Sequence, residues 1–173
     1  KLPPAHALRW RDARADLRRY WDLEYAKSGT PPPSSEAELA EELRQRLQES
    51  TSIRMTSERP LGAFLSGGLD SSAVVAAMAR SSSRPVSTFS IGFEEDAYNE
   101  LPYARQVAEL YGTNHHELVV KPDIEHILPK VARMFDEPFA DSSAVPSYYV
   151  AEIARQDVVV VLNGDGGEEA LRG

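Results

Sequence analysis

The sequence predicts an α/β domain: a parallel, doubly wound sheet with flanking helices. Three observations carry that reading. From Leu61 onward, short apolar β-rich runs alternate with helical patterns, the alternation that builds parallel sheets. Val158-Val159-Val160-Val161-Leu162 is continuously apolar and β-branched, as a strand buried on both faces should be. Two glycine-rich segments, one at Ser66–Ser72 and one at Asn163–Gly167, follow strands directly, and such sheets bind ligands at the carboxyl ends of their strands, where the strand order reverses.

Each element has its own signal. Residues 1–27 contain two strand candidates, His6–Trp10 and Leu17–Leu23, that can form a hairpin. Ser28–Ser35 is a linker by composition, stiffened by three consecutive prolines. Ser34 or Ser35 can then cap a helix whose Leu39, Leu43 and Leu47 recur at helical spacing. These features divide the chain into an arm and linker over residues 1–35 and a core over 36–173. Within the core, strands are predicted over Leu61–Leu65, Val86–Ile91, His116–Val120 and Val158–Leu162. Helices are predicted over Ser71–Arg80, Asn99–Tyr111, Ile124–Phe135 and Ser143–Arg155. In the second of these helices Leu101, Ala104, Val107, Ala108 and Tyr111 share a face, and Gly112 is placed to end it. Pro146 is tolerable only in the first turn of the last helix.

Composition narrows the chemistry. At 173 residues the chain can bury one real core. The absence of cysteine excludes disulfides, thiolate metal sites and cysteine nucleophiles, and fits a reducing cytoplasm. No apolar run approaches membrane-spanning length and no signal peptide is visible. A net charge of −8 argues against a broad nucleic-acid surface. The early arginines Arg9, Arg11, Arg14, Arg18 and Arg19 read as a solvated arm. Because the chain starts at Lys1 rather than Met, it is expected to be an excised or processed piece.

Ser66-Gly67-Gly68-Leu69-Asp70-Ser71-Ser72 lies between an apolar strand pattern and a helical one. Strand, glycine turn and helix start in that order make a phosphate cradle. Glycines permit close backbone approach and positive φ, and N–H groups at a helix start converge on an anion. The serines add hydroxyl donors, and Asp70 offers a carboxylate to a cation riding on the phosphates. The loop is not the common P-loop, which requires Gly-Lys-Ser/Thr after four intervening residues; no lysine occurs between Lys27 and Lys121. The second loop, Asn163-Gly164-Asp165-Gly166-Gly167-Glu168-Glu169, adds three glycines and three carboxylates. Those carboxylates would repel a triphosphate without a divalent cation between them, which points to Mg²⁺.

Ser66–Ser72 resembles the loop of the PP-loop ATP pyrophosphatase superfamily, with its adenine nucleotide alpha hydrolase-like fold. Further motifs extend the likeness: Thr88-Phe89-Ser90-Ile91-Gly92-Phe93, Glu100-Leu101-Pro102-Tyr103-Ala104-Arg105, Gly112-Thr113-Asn114-His115-His116-Glu117, Asp136-Glu137-Pro138-Phe139-Ala140-Asp141 and Gly164-Asp165-Gly166-Gly167. Together they resemble the synthetase domain of glutamine-dependent, class B asparagine synthetase, from about Arg59 to Gly173. Tyr20-Trp21-Asp22-Leu23 is similar to the segment joining that family's glutaminase domain to its synthetase domain.

The resemblance implies an ATP-dependent carbon–nitrogen ligase. An aspartate side-chain carboxylate would attack the α-phosphorus of Mg·ATP, releasing pyrophosphate and giving β-aspartyl-AMP, and ammonia derived from glutamine would displace AMP. It implies that Ser66, Gly67, Gly68, Leu69, Asp70, Ser71 and Ser72 bind pyrophosphate, and that the backbones of Leu65, Ile91, Asn163 and Gly164 contact adenosine. It further implies that Asp70 and Glu168 hold Mg²⁺ and that Asp165 is the carboxylate acting on the intermediate. The implied partners are ATP, aspartate or a related carboxylate, ammonia and a glutaminase domain in cis, without nucleic acid or membrane, in the cytoplasm. A homodimer is left open.

Three departures stand out. Glu168 replaces the family's usual Asp, Asn163 its commoner Ser, and Arg172 occupies a stretch that prefers small residues. The family also continues into a helical lobe with a catalytic lysine, so the piece alone is expected to be inactive. Two other readings stay open: a PP-loop amidotransferase or β-lactam-synthetase-like enzyme with a different acceptor, and an inactive nucleotide-binding module. Outside the loops, His115 and His116 read as structural, since no histidine follows at zinc-protease spacing. Asp136, Glu137 and Asp141 read as an acid/base group or lining of the amino-acid pocket, and equally as helix termination and turn chemistry around Pro138 with Asp136 and Asp141 as caps.

Overall fold

The computed structural model describes residues 1–24, 35–94, 99–121, 123–135 and 139–167. It divides into two compact units, Lys1–Leu39 and Ala40–Gly173. Of the predicted linker Ser28–Ser35, all but Ser35 lies outside the described residues.

In the first unit, β1 (His6–Arg11) and β2 (Arg14–Arg19) form an antiparallel hairpin. Its two-residue turn, Asp12-Ala13, has φ of 51° and 57°, the positive pair that matches the twist of flanking strands. The turn fixes the register, pairing Leu8 with Leu17 and Trp10 with Ala15. The expected second strand, Leu17–Leu23, is therefore corrected: it begins three residues earlier and ends at Arg19. Helix α1 (Glu36–Arg54) starts in a capping box, in which the Ser35 N–H donates to the Glu38 carboxylate at 2.8 Å and the Glu38 N–H donates to Ser35 Oγ at 3.3 Å. The choice between Ser34 and Ser35 thus falls on Ser35. Of the predicted leucine stripe, Leu39 and Leu43 are exposed and only Leu47 is half-buried.

The second unit is built on a parallel sheet of β3 (Leu61–Phe64), β4 (Ser87–Phe93), β5 (Asn114–Val120) and β6 (Val160–Leu162), in the order β5-β4-β3-β6. The chain steps outward from β3 to β5 and returns on the other side of β3. The strand order therefore reverses between β3 and β6, as the doubly wound reading requires. Helices α2 (Leu69–Ser81), α3 (Leu101–Tyr111), α4 (Ile124–Phe135) and α5 (Ala144–Ala154) complete it. Side chains alternate across β3. Ala63 and Leu65 join Val75, Met78, Ala104 and Ala108 of α2 and α3, whereas Phe64 joins Phe89, Ala154 and Val158 beside α5. A third cluster, Ile127, Val131 and Ala144, packs α4 on α5.

Local chemistry sets the ends of these elements. Gly112 closes α3 with φ of +61°, and the Thr113 N–H returns to Ala108 O at 3.0 Å, the left-handed stop that glycine favours. Pro146 sits in the first turn of α5, where its missing N–H costs little. The expectation for Val158–Leu162 needs correction. The strand is only Val160–Leu162, its residues are half-buried, and Val159 is 63% exposed. Among the described strands it pairs with β3 alone, and its partial exposure falls short of the two-faced burial that its composition suggested.

Candidate functional site

The loops after β3 and β6 meet at the switch point. Leu65 is buried, and its N–H donates to Phe89 O at 3.0 Å. The buried Ser90 hydroxyl donates to Leu65 O, so both backbone polar groups of the residue entering the loop are fixed. Gly67 then turns with φ of +84°, and a Cβ there would lie 2.5 Å from the backbone nitrogen of Ala104. Ser66 Oγ and Ser71 Oγ bond each other at 2.9 Å, and the Gly68 N–H donates to Ser66 Oγ at 3.2 Å. Gly68 occupies the N-cap of α2 without a side-chain cap. The first turn of α2 consequently opens with N–H groups that no cap takes up, a place that suits an anion.

The second loop lies against this turn. A Cβ on Gly164 would sit 2.7 Å from the Ser71 nitrogen, and one on Gly167 would sit 2.5 Å from Asp70 Cγ. A side chain at Gly164 would hold the loops apart, and one at Gly167 would displace the Asp70 carboxylate. The Asn163 amide donates to the Asp165 carboxylate at 2.7 Å, orienting it. The two loops border a cleft of about 860 Å³, whose lining includes Ser66, Gly68, Leu69, Asp70, Ser71 and Asn163–Gly167.

Not every residue proposed from sequence reaches that cleft. Ser72 Oγ is buried without a partner and is not in the lining, and the Ser72 N–H is engaged with Gly68 O at 3.1 Å. Ile91 lies half-buried within β4, outside the lining. Glu168, Arg172, Asp136 and Glu137 fall outside the described residues. Asp141 does reach the cleft, and its carboxylate also accepts the Ser143 N–H at 2.8 Å, a bond that lowers its pKa. Phe64, Glu100, Ser143 and Ser147 complete the lining. Sequence reasoning missed Glu100 as a lining residue. It stood inside a recognised motif, but its nearness to the loops comes from the packing of α3.

The histidines are engaged elsewhere. His115 Nδ1 bonds the buried Thr88 hydroxyl at 2.8 Å, and the His116 ring stacks on Phe89 at 5.1 Å.

All four described carboxylates of the lining (Asp70, Glu100, Asp141 and Asp165) face a cleft with no described lysine or arginine in its wall. Among the described residues no group of three His, Cys, Asp or Glu side chains is arranged to hold a metal by itself. Asp70 and Asp165 are hard oxygen donors on the two loops, the donor type that Mg²⁺ takes when phosphate oxygens and water complete its shell.

The sequence pattern of the family described as asparagine synthase matches residues 42–173. The chain belongs to the asparagine synthase family. It is 44% identical, over 164 residues, to a Methanocaldococcus jannaschii protein assigned as glutamine-hydrolysing asparagine synthetase 2; the match covers 92% of this chain and 31% of that protein. It is 37% identical over 145 residues to glutamine-hydrolysing asparagine synthetase 1 of Bacillus subtilis, covering 83% of this chain and 23% of the relative. The chain thus spans less than a third of the length of these two asparagine synthase relatives. The fold is shared more widely. The NMN synthetase structure from Francisella tularensis superposes with a TM-score of 0.52 at 18% identity, over 75% of this chain and 56% of that one. For a member of this family, both loops that carried the resemblance in sequence border one crevice, at the switch point of the sheet.

Proposed function

We propose that this chain is the ATP-binding core of an asparagine-synthetase-like amide ligase. The observation that carries the reading is the approach of the second glycine loop to the uncapped first turn of α2, close enough that Gly164 admits no Cβ against its backbone. This builds a backbone-walled anion site in a family whose relatives are named asparagine synthetases. The N–H groups of the first turn of α2 and the hydroxyls of Ser66 and Ser71 bind the β- and γ-phosphates, and the Leu65, Asn163 and Gly164 backbones, with that of Ile91 from outside the described lining, hold adenosine. Ser72 contributes through its place in the first turn of α2 rather than through its buried hydroxyl. Asp70 and Glu168 hold Mg²⁺, which supplies neutralisation of phosphate charge in a cleft that is itself acidic.

The reaction needs no protein nucleophile. The acceptor carboxylate forms a bond to the α-phosphorus as the bond to pyrophosphate breaks; ammonia then forms the amide and AMP leaves. The chain's work is to align the triphosphate and to stabilise the departing pyrophosphate with fixed N–H donors. Asp165, oriented by Asn163, faces the acyl-adenylate. Aspartate is the acceptor this reading favours, with ammonia delivered by a glutaminase domain in cis. The apolar face of the hairpin, with Leu8, Trp10 and Leu17 exposed, belongs to the junction with that domain. The setting is cytoplasmic; among the described residues no helix is long and apolar enough to cross a membrane.

Pyrophosphate release from Mg·ATP in the intact protein, with an amino-acid panel as acceptors, tests the proposal. Aspartate-dependent release that Asp70→Ala abolishes supports it. Release with another acid would keep the mechanism and change the substrate, and Mg·ATP binding without release under any acceptor would contradict ligase activity.

A further inference from the structure

Outside the cleft, one ion pair ties to the sheet the helix on which the phosphate loop rests. Gly67, with φ of +84°, rests on the backbone of α3: a Cβ there would meet Ala104 N at 2.5 Å and Tyr103 C at 2.6 Å. The height of the loop is therefore set by where the first turns of α3 lie. Arg105, the next residue along, reaches from α3 to β5 and grips Glu117 with both arms of its fork: Nε donates to the two carboxylate oxygens at 2.9 and 3.0 Å, and Nη2 donates to Oε2 at 2.7 Å. Glu117 is mostly covered, with 22% of its side chain exposed, and His115 Nε2 lies 3.2 Å from its other oxygen. At the opposite corner Leu101 fills the space over Gly92, where a Cβ would lie 2.5 Å from Leu101 Cδ1. Helix α3 is thus pinned to the sheet by apolar contact at its start and by a bidentate pair one turn later.

We propose that the Arg105–Glu117 pair is a positioning device for the phosphate loop: it fixes α3 on β5 so that the Tyr103–Ala104 backbone buttresses Gly67. This inference rests on the nucleotide reading above and adds residues that touch no part of the nucleotide. Arg105 is 54% exposed, and an ion pair that open to water contributes little to global stability. Its bidentate geometry instead supplies direction. Loss of the pair leaves the fold in place and lets α3 shift by a fraction of an ångström, which the loop follows. Pyrophosphate and the outer phosphates of ATP depend on that loop. AMP, held at the backbones of Leu65, Ile91, Asn163 and Gly164 and not at Gly67, depends on it less.

The test is calorimetric binding of Mg·ATP, Mg·pyrophosphate and AMP to the intact protein and to Arg105→Ala, Arg105→Lys and Glu117→Gln. Arg105→Ala and Glu117→Gln are expected to weaken Mg·ATP and Mg·pyrophosphate about tenfold, on the scale that sub-ångström misplacement costs. AMP stays within about twofold, the scatter of an uncoupled site. Arg105→Lys keeps the charge but loses the fork, so it shows the same selective loss to a smaller degree and guards against misfolding of the other two. Equal losses for all three ligands, or no loss, would overturn the positioning role while leaving the nucleotide site intact. An unaltered protein that binds none of the three would overturn the nucleotide reading itself, and this inference with it.

Discussion

Gly67, Gly164 and Gly167 are glycines for different reasons. Gly67 needs both a positive φ and room against α3, Gly164 lacks room against the backbone of the first turn of α2, and Gly167 leaves the Asp70 carboxylate where it stands. Gly67→Ala combines left-handed strain of about 1–2 kcal/mol with a backbone clash. It should weaken Mg·ATP by more than about tenfold, measured by calorimetry alongside a melting curve. The need for glycine at 67 was legible, because a turn between strand and helix demands it locally. Glu100 was not legible as a neighbour of the loops, and Asp141 was so only as one of two equal readings, since α3 and the segment before α5 bring them there through tertiary packing. The Ser72 hydroxyl shows the opposite limit: its residue type suits a phosphate donor, but its position turns it into the interior.

Acid sensitivity is also set at this scale. Burial lowers the pKa of His115 beneath its ordinary 6.5, against the pull of Glu117, and Arg105 holds Glu117 beneath its ordinary 4.5. Both groups bind protons less readily folded than unfolded, so each contributes stability at neutral pH that is lost on acidification. Melting temperature should fall first as pH drops below 6.5 and again below 4.5. His115→Asn should flatten the first limb and leave the second; a first limb unchanged in that variant would assign it to another group.

Among the elements, those with a strong local rule matched the structure well. Helix α3 runs from Leu101 to Tyr111 and stops at Gly112, as its apolar face and glycine stop require, and α1 starts in the Ser35–Glu38 box. The hairpin was placed only in part, because its turn uses Asp12-Ala13 instead of the Asn-Gly or Asp-Gly pairs that announce such turns. Ala13 carries a φ of 57° that glycine adopts without strain. Ala13→Gly should therefore stabilise the hairpin by about 0.5–1 kcal/mol after the entropy that glycine adds to the unfolded chain. Amide exchange of the paired hairpin residues should slow correspondingly, and faster exchange would contradict the turn assignment. Strand β6 was placed only in part for another reason: an apolar run reports hydrophobicity, while the extent of a strand and the burial of its residues depend on what packs beside it.

For the molecule, charge and architecture pull in opposite directions and find one resolution. The chain has a net charge of −8, and its cleft has acidic walls without a described basic side chain, yet the backbone at the switch point is built for an anion. On the proposed reading, a nucleotide enters this cleft with a divalent cation among its phosphates. Family membership and the doubly wound fold were both legible, because the six motifs and the strand–helix alternation lie along the chain itself. The acceptor was not, since its recognition depends on residues that converge from separate elements.

The most direct test of this account is acceptor-dependent pyrophosphate release by the intact protein, with and without Mg²⁺. The account predicts release that requires both Mg²⁺ and aspartate or a related carboxylate, and that disappears in Asp70→Ala. Release that persists without a divalent cation, or that is unchanged in Asp70→Ala, would contradict it.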